Sequence, residues 1–269
     1  MNEQQGSIVC VGVGMTLGSH LSPLSRSYIE QADVVFSLVS DGLVEQWISQ
    51  MNPDVRSLQP YYHEGTSRLV SYNAMVDAML EEVKAGKKVV GAFYGHPGVF
   101  ACVPHRVIEE ARGLGYYGKM EPGISAEDCL FSDLAIDPGQ FGCCHFEASQ
   151  FMFYKRIIDP SAYLVLWQVG IAGDLSLSKL STGESYRQVL IDILSLHYPK
   201  DHEVILYEAA TLPIHQHRIE RLPLSALLHA EIHGYTTLVI PPCRELTPNL
   251  EVLKQLDAID SGRSNLNFV

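Results

Sequence analysis

Short apolar runs rich in β-branched residues recur through the first half of the chain, and a helical pattern follows each of them. The runs cover residues 7–13 (SIVCVGV), 33–39 (DVVFSLV), 88–94 (KVVGAFY) and 116–120. Runs of this length between glycine or polar residues are typical of buried strands. Helices are predicted over residues 22–32, 42–50, 66–86, 104–112 and 124–134. This alternation favours a parallel, doubly wound sheet with helices on both faces.

Signals at the helix ends support these assignments. Ser22 is expected to cap the first helix, with Pro23 at its first position, and Ser125 is expected to begin the last. The helix over 66–86 has the clearest apolar periodicity, and we expect Thr66 or Ser67 to cap it.

The pattern changes after about residue 137. Residues 138–160 look irregular and aromatic-rich, and we interpret them as a junction. Beyond them, strands are predicted over 163–169, 203–207 and 236–240, and helices over 185–196 and 250–256, before a polar tail. We therefore predict an α/β domain over residues 1–137 and a second α/β domain over residues 161–269.

Composition excludes several classes of protein. Lys and Arg number 19 against 31 Asp and Glu, a net charge of −12 without a basic stripe, which argues against nucleic acid as a partner. No apolar run approaches the roughly 20 residues that span a bilayer, and no signal peptide is recognisable. Of the six cysteines only Cys143 and Cys144 are close, and adjacent cysteines suit neither a metal nor a disulfide. We expect a cytoplasmic protein with reduced thiols, no metal site and no membrane contact.

Three of the predicted strands end in glycine-containing loops. These are Gly12-Val13-Gly14, residues 95–100 (GHPGVF) and residues 122–125 (PGIS). Ligands of open α/β sheets bind beyond the carboxyl ends of the strands, and glycine lets backbone amides approach a ligand closely. The first loop is not a dinucleotide fingerprint, because its spacing is GxGxxxG and Asp33 precedes the second strand.

The second and third loops resemble elements of the tetrapyrrole methylase family. YGHPGVF (94–100) is similar to the G-[DH]-P-x-x-F element that cradles S-adenosylmethionine in that family, and EPGISAED (121–128) to its P-G-[IV]-S element. The similarity extends over residues 7–242. It implies two α/β domains with a cofactor cleft between them and S-adenosylmethionine as cofactor. The cofactor-binding residues it implies are Tyr94, His96, Val99, Phe100, Ser125, Gln168, Tyr207, Ala209, Thr236 and Thr237.

Within that superfamily the chain most resembles the borosin peptide α-N-methyltransferases, which methylate backbone amides of a ribosomal precursor peptide. The narrower match is carried by residues 93–100, 118–128, 146–153 (FEASQFMF) and 66–72 (TSRLVSY), preceded by LQPYY at 58–62. The family's catalytic Arg and Tyr stand four apart on a helix, as Arg68 and Tyr72 do. A further catalytic tyrosine aligns with Tyr62, with the adjacent Tyr61 as the alternative. Tyr94, together with His96, would position the reacting groups.

Amide chemistry explains why such residues are needed. A peptide nitrogen is a poor nucleophile because its lone pair is delocalised into the carbonyl. Its methylation requires removal of the N–H proton and stabilisation of charge on the amide oxygen. Residues four apart share a helix face, so Arg68 can stabilise that charge and lower a tyrosine pKa, with Tyr62 or Tyr72 as the base. Spacing alone favours a core aromatic at Tyr72 and a solvated Arg68; the surrounding motifs reverse that balance.

The resemblance also bears on partners. Fungal borosins modify their own C-terminus, whereas residues 257–269 here (DAIDSGRSNLNFV) are polar and lack a Val, Ile or Leu run. We therefore expect the split bacterial type, which acts on a separate precursor peptide. The family implies an interlocked homodimer, although composition permits a monomer. The alternatives are a tetrapyrrole C-methyltransferase of the precorrin or uroporphyrinogen type, and a non-enzymatic peptide-binding or cofactor-sensing module.

Overall fold

A computed structural model of the protein describes residues 5–63 and 65–263. It contains two five-stranded sheets, the first built from the N-terminal half of the chain and the second from the C-terminal half. Both sheets are packed with helices, which confirms the predicted α/β fold class.

The first sheet is entirely parallel. Its strands, in spatial order β3-β2-β4-β1-β5, are β1 (Ser7–Gly12), β2 (Val34–Leu38), β3 (Val55–Ser57), β4 (Lys88–Phe93) and β5 (Tyr117–Glu121). Its helices are α1 (Pro23–Gln31), α2 (Gly42–Ser49), α3 (Arg68–Lys84), α4 (Val103–Gly113) and α5 (Ala126–Leu134).

Alternation along β1 explains the layers around this sheet. Successive side chains of a strand point to opposite faces. Ile8 and Cys10 pack with the residues of α3 and α4, whereas Val9 and Val11 pack with those of α1 and α2. Both faces are covered, so the central strands are apolar throughout, and the predicted doubly wound arrangement is confirmed.

A crevice is expected where β1 and β4 lie side by side. The connection that leaves β1 leads to α1 on one face, and the connection that leaves β4 leads to α4 on the other. Loops that diverge in this way open a ligand-binding crevice at the carboxyl ends of the strands.

The second sheet is mixed. Its strands are β6 (Cys143–Glu147), β7 (Tyr163–Trp167), β8 (Glu203–Glu208), β9 (Arg218–Pro223) and β10 (Thr237–Ile240). Their order is β6-β7-β10-β8-β9, and only β6 and β7 are parallel. Its helices are α6 (Pro138–Phe141), α7 (Ala148–Phe153), α8 (Glu184–Leu194) and α9 (Leu250–Arg263).

Helix α5 joins the two halves. It follows the first sheet, yet its Leu130 is fully buried against Val165 and Tyr207 of the second sheet. The domain boundary at residue 137 stays a prediction.

Several sequence expectations need correction. The segment 138–160 is not irregular, because it holds α6, β6 and α7. Strands β3 and β9 were not expected, and α9 runs to Arg263 rather than ending at 256. Helix α3 begins at Arg68 after Ser67, whose side chain makes no capping hydrogen bond. Ser22 and Ser125 do cap α1 and α5, as predicted.

None of the helices in the described part of the chain is both long and apolar enough to cross a membrane. All six cysteines lie among the described residues, and each is unpaired.

Candidate active site

The three glycine loops meet at the crevice and pack against one another. The N–H of Gly14 donates to the Gly95 carbonyl at 3.2 Å, and the N–H of Gly95 donates to the Gly14 carbonyl at 2.9 Å. A Cβ on Gly12 would lie 2.4 Å from the Gly95 oxygen and 2.7 Å from Cα of Gly123. Glycine is therefore required at Gly12 and Gly123 for contact between the loops, rather than for close approach to a ligand as the sequence suggested.

A cavity of about 680 Å³, here called the larger cavity, opens between these loops and the ends of β8 and β10. Its size suits a small-molecule cofactor. Nine of the ten residues predicted to bind the cofactor line it: Tyr94, His96, Val99, Phe100, Ser125, Gln168, Tyr207, Ala209 and Thr237.

Thr236 is the exception. It is fully buried, its hydroxyl donates to Oε1 of Glu208 at 2.5 Å, and it accepts the N–H of His233 at 2.8 Å. The Thr236 side chain thus supports the wall of the larger cavity from behind, and its contact with the cofactor stays a prediction.

Two of the lining residues have hydroxyls engaged within the protein. Ser125 Oγ donates to Asp128 Oδ2 at 2.7 Å in the cap of α5, and Tyr207 donates to Asp133 at 2.8 Å. Burial, and then the hydrogen bond to Asp133, raise the pKa of Tyr207 far above its ordinary value. These two side chains shape the cavity wall more than they offer free polar groups.

Trp167 is a lining residue that the sequence reasoning did not single out as a ligand. It is 7% exposed, its ring centroid lies 5.6 Å from that of Phe100, and its indole N–H has no partner among the described residues. A buried donor without an acceptor is costly unless a ligand supplies one. The larger cavity therefore fits a ligand with a hydrogen-bond acceptor. The Trp-Gln pair at the end of a buried strand was the available signal.

Carboxylates were also missed at the larger cavity. Asp41, Glu127 and Glu208 line it, with Arg218 as the one described Lys or Arg that does so. Burial raises the pKa of Glu208, but hydrogen bonds from Thr236 and His233 and the charge of Arg218 outweigh it and hold that pKa below its usual range. Glu208 is thus ionised near neutral pH. The sequence signal for Glu208 was its position directly after Tyr207, which was predicted to bind the cofactor.

A second cavity of about 440 Å³, here called the smaller cavity, lies on the other side of a shared wall. The wall residues line both cavities: Leu38, Gln59, Tyr62, Tyr94, His96, Val99, Phe100 and Gln168. All four residues predicted to be catalytic, Tyr62, Arg68, Tyr72 and Tyr94, line the smaller cavity.

Tyr62, not Tyr61, is the loop tyrosine at this site. Tyr61 ends a short 3-10 turn and packs against the core of the first half, whereas Tyr62 lines both cavities. The rings of Tyr62 and Tyr72 meet edge to face, with centroids 6.3 Å apart.

Local structure places the other groups. Arg68 and Tyr72 lie one turn apart at the start of α3, and the N–H of Arg68 donates to the Leu177 carbonyl of the second half at 2.9 Å. Tyr94 directly follows β4, and its N–H donates to the Leu38 carbonyl at 3.0 Å. Nδ1 of His96 accepts the N–H of Gly98 at 2.9 Å, which places the proton of a neutral ring on Nε2.

Left-handed backbone occurs at two residues of the shared wall and in the loop beside the smaller cavity. Four described residues other than glycine have clearly positive φ, and Phe100 (49°), Gln168 (57°) and Leu177 (54°) all lie at or next to the cavities. Such conformations cost on the order of 1–3 kcal/mol each and persist only where the surroundings enforce them. The wall is therefore held in a fixed shape by its neighbours.

The tyrosine pKa values depart from the sequence expectation. Burial raises the pKa of Tyr62, Tyr72 and Tyr94, and the charge of Arg68 lowers those of Tyr62 and Tyr72 without outweighing burial. Arg68 thus lowers both pKa values, as predicted, but burial leaves them above the ordinary tyrosine pKa. The interaction between the two tyrosines raises the pKa of Tyr62 and lowers that of Tyr72, so Tyr72 is the more acidic of the pair.

Comparison with known proteins identifies the family of the chain. Residues 7–228 match the family model described as tetrapyrrole (corrin/porphyrin) methylases. A methyltransferase/ribosomally synthesized gymnopeptides precursor of Gymnopus fusipes is 39% identical over 261 residues, 96% of this chain and 62% of that protein. A methyltransferase/type I borosin cyclic peptide precursor of Coprinopsis marcescibilis is 39% identical over 269 residues, 97% of this chain and 69% of that protein. The omphalotin A precursor of Omphalotus olearius is 37% identical over 262 residues. The chain spans less than two thirds of the length of the Gymnopus and Omphalotus proteins.

Solved structures share the fold at low identity. Uroporphyrin-III-C-methyltransferase from Thermus thermophilus superposes with a TM-score of 0.62 at 17% identity, covering 88% of this chain and 93% of that one. A cobalt precorrin-4 methyltransferase gives a TM-score of 0.61 at 16% identity, covering 87% and 94% of the two chains. At this identity the likeness establishes the architecture alone.

Proposed function

We propose, on the premise that this chain belongs to the tetrapyrrole methylase family, that it transfers methyl groups from S-adenosylmethionine to backbone amide nitrogens of a peptide. The observation that carries the proposal is the meeting of Tyr62, Arg68 and Tyr72 in the smaller cavity, across a shared wall from the larger one. The identity of 39% to two methyltransferases that are named as precursors of ribosomal peptides supports a peptide substrate.

The larger cavity is the proposed cofactor site. S-adenosylmethionine, when bound, supplies an electrophilic methyl group on a cationic sulfonium. Asp41, Glu127 and Glu208 offer carboxylates to cationic groups, and the unpartnered indole N–H of Trp167 offers a donor to an acceptor. The shared wall, with Tyr94 and His96, would orient the methyl group toward the smaller cavity.

The smaller cavity is the proposed site of amide activation. The phenolate form of Tyr72, which arises when the phenol loses its proton to solvent, takes the amide proton. Tyr72 reaches this form more readily than Tyr62, because Arg68 and Tyr62 lower its pKa. Arg68 donates to the amide oxygen as negative charge develops there, since no described residue accepts a hydrogen bond from its guanidinium. Tyr62 packs edge to face against Tyr72 and lowers the pKa of that tyrosine, which favours its phenolate.

We further propose that the methylated amides lie outside residues 250–269 of this chain. Residues 250–263 form α9, and the backbone N–H groups within a helix are engaged in its own hydrogen bonds. The predicted polar tail runs to residue 269, and residues 264–269 lie outside the described residues. Intact mass of the purified chain should stay unchanged on incubation with the cofactor. Added methyl groups within residues 257–269 would contradict that proposal.

Helix α9 also supports the proposal of a homodimer. Leu250, Leu253, Leu256 and Ile259 are each between 47% and 66% exposed, and a run of exposed apolar side chains is typical of an interaction surface. Light scattering of the full chain should give the mass of a dimer, and a monomer at micromolar concentration would contradict it.

The decisive experiment offers the protein labelled S-adenosylmethionine with either Val- and Ile-rich peptides or uroporphyrinogen. Tandem mass spectrometry should locate the label on peptide backbone nitrogens. Label found only in the macrocycle would establish the tetrapyrrole C-methyltransferase alternative. Cofactor binding without transfer to either acceptor would establish a binding module.

A further inference from the structure

The charged residues that line the smaller cavity are cationic within the described part of the chain, although the chain is acidic overall. Its charged lining residues are Arg68 and Lys179, and no Asp or Glu of the described residues lines it. The chain as a whole carries 31 Asp and Glu against 19 Lys and Arg. A cavity lined by one sign of charge attracts the opposite sign, so this one favours an anionic group on its ligand.

A rigid loop holds Lys179 at this place. Asp174, 1% exposed, accepts hydrogen bonds from the N–H of Ser176 at 3.0 Å and the N–H of Lys179 at 2.9 Å. The Asp174 carboxylate is therefore turned into its own loop and does not line the cavity. The Leu177 carbonyl of the same loop accepts the N–H of Arg68, which fixes the loop to the start of α3.

The ammonium of Lys179 has unused capacity. It donates to the hydroxyl of Tyr186 at 2.5 Å and lies 4.6 Å from the centre of that ring. An ammonium carries three donors. No described carboxylate lies within ion-pair distance of Lys179 or Arg68, although the hydrogen bond to Tyr186 and then the charge of Asp174 raise the pKa of Lys179. Glu147, whose charge raises the pKa of Tyr72, instead accepts the N–H of Gln150 at 2.8 Å and does not line the cavity.

We propose that Lys179 forms a subsite for a carboxylate of the peptide, beside the amide that Arg68 and Tyr72 activate. The inference rests on the function proposed above and narrows the substrate class. The Lys179 subsite selects peptides with an acidic side chain, or a free C-terminus, close to the methylated residue. Arg68 stays available for the amide oxygen because Lys179 binds the carboxylate.

Matched peptides test this subsite. One set of Val- and Ile-rich peptides, blocked at both ends, carries a single Glu moved along the sequence; other sets carry Gln or Lys instead, and one Gln set has a free C-terminus. Affinity for the protein saturated with S-adenosylhomocysteine is measured by fluorescence anisotropy, and kcat/KM by mass spectrometry. A carboxylate at the right position should tighten binding up to about fivefold over Gln, as expected for a partly exposed ion pair.

Two variants and a control assign the effect to Lys179. Lys179→Gln should abolish the preference for a carboxylate, and Lys179→Glu should transfer the preference to the Lys peptides. Lys200→Gln changes the net charge equally at an exposed position that lines neither cavity, and should keep the preference. The Glu and free C-terminus sets distinguish a side-chain carboxylate from a terminal one.

Failure of this inference is distinguishable from failure of the proposed function. Equal methylation and affinity for all peptide sets would overturn the subsite and leave peptide methylation intact. A carboxylate preference that survives Lys179→Gln would place the anion elsewhere and also overturn it. Absence of peptide methylation with label in uroporphyrinogen would overturn the proposed function itself.

Discussion

The larger and the smaller cavity share a wall, yet the described charged residues that line them are mostly acidic in the larger one and cationic in the smaller one. Three carboxylates line the larger one, whereas Arg68 and Lys179 line the smaller one without a described Asp or Glu. A cationic methyl donor and an amide that becomes an anion need opposite surroundings, and the aromatic wall keeps those surroundings apart. The proposed function therefore assigns cofactor binding and amide activation to separate sets of residues, and five predictions test that separation.

The largest expected effect is at Arg68. Arg68→Ala should lower kcat for peptide methylation on the order of 100-fold or more, because a donor to developing charge is lost. The dissociation constant for S-adenosylhomocysteine should stay within about twofold, since Arg68 does not line the larger cavity. Arg106→Ala is the matched control, as Arg106 pairs with Asn73 and Glu110 away from both cavities. Equal losses of rate and cofactor affinity in Arg68→Ala would contradict the assignment of cofactor binding and amide activation to separate residues.

Next is the pH profile, which tests Tyr72 as the base. Its raised pKa means that the phenol is protonated near neutral pH. Below that pKa the phenolate fraction, and with it the rate, should climb about tenfold per pH unit as pH rises. Tyr72→Phe should be slow and lose this slope. A flat wild-type profile between about pH 7 and pH 10, around the ordinary tyrosine pKa, would instead make Tyr72 a neutral hydrogen-bond donor.

Glu208 tests the role of the carboxylates that line the larger cavity. Glu208→Gln should weaken S-adenosylhomocysteine binding about tenfold, the equivalent of 1.4 kcal/mol, while kcat at saturating cofactor changes little. It should also lower the free energy of unfolding by about 1.5–3 kcal/mol, because hydrogen bonds to a charged group are lost. Glu220→Gln is the control, since Glu220 also pairs with Arg218 but does not line the cavity.

The Glu208 carboxyl group should also make the free energy of unfolding depend on pH in the acidic range. Its folded-state pKa lies below the unfolded value, so its stabilisation is complete above the unfolded pKa of about 4.3. That stabilisation is lost as pH falls through the folded-state value. Chemical denaturation at graded pH should show this loss in the wild type and a smaller loss in Glu208→Gln.

The smallest effect distinguishes two adjacent threonines. Thr236→Val removes a buried hydroxyl that bridges Glu208 and His233, and should lower the free energy of unfolding by about 1–3 kcal/mol. Thr237→Val should instead weaken cofactor binding about threefold, a few tenths of a kcal/mol to 1 kcal/mol being typical of one neutral hydrogen bond. Calorimetric titration and thermal melts of both variants check this. The reverse assignment would place Thr236 at the cofactor.

The strands that the sequence missed are edge strands. Strands β3, β6 and β9 each lie at the edge of a sheet and are half-buried or exposed along much of their length. The central strands, such as β1 and β4, are covered on both faces and therefore read as apolar runs. An edge strand such as β9 (RIERLP) has no such requirement, so its hydrophobic pattern carries little signal.

The sequence predicts which residues line the cavities, but it does not predict which groups their side chains hydrogen-bond. The spacing of Arg68 and Tyr72 placed both in one cavity, as four residues make one turn. Nothing in the sequence shows that Thr236 bonds Glu208 or that Tyr207 bonds Asp133, because those partners lie 28 and 74 residues away. The tyrosine pKa values were missed for the same reason, since burial is a property of the folded cavity.

The most direct test is a crystal structure of the protein with S-adenosylhomocysteine and a peptide that it methylates. We expect the nucleoside of S-adenosylhomocysteine in the larger cavity and the sulfur of that molecule at the shared wall. We also expect a peptide amide nitrogen in the smaller cavity within about 3–3.5 Å of the Tyr72 hydroxyl, the range of reactive contacts. A cofactor in the smaller cavity, or a peptide amide bound away from Arg68 and Tyr72, would contradict the proposed function.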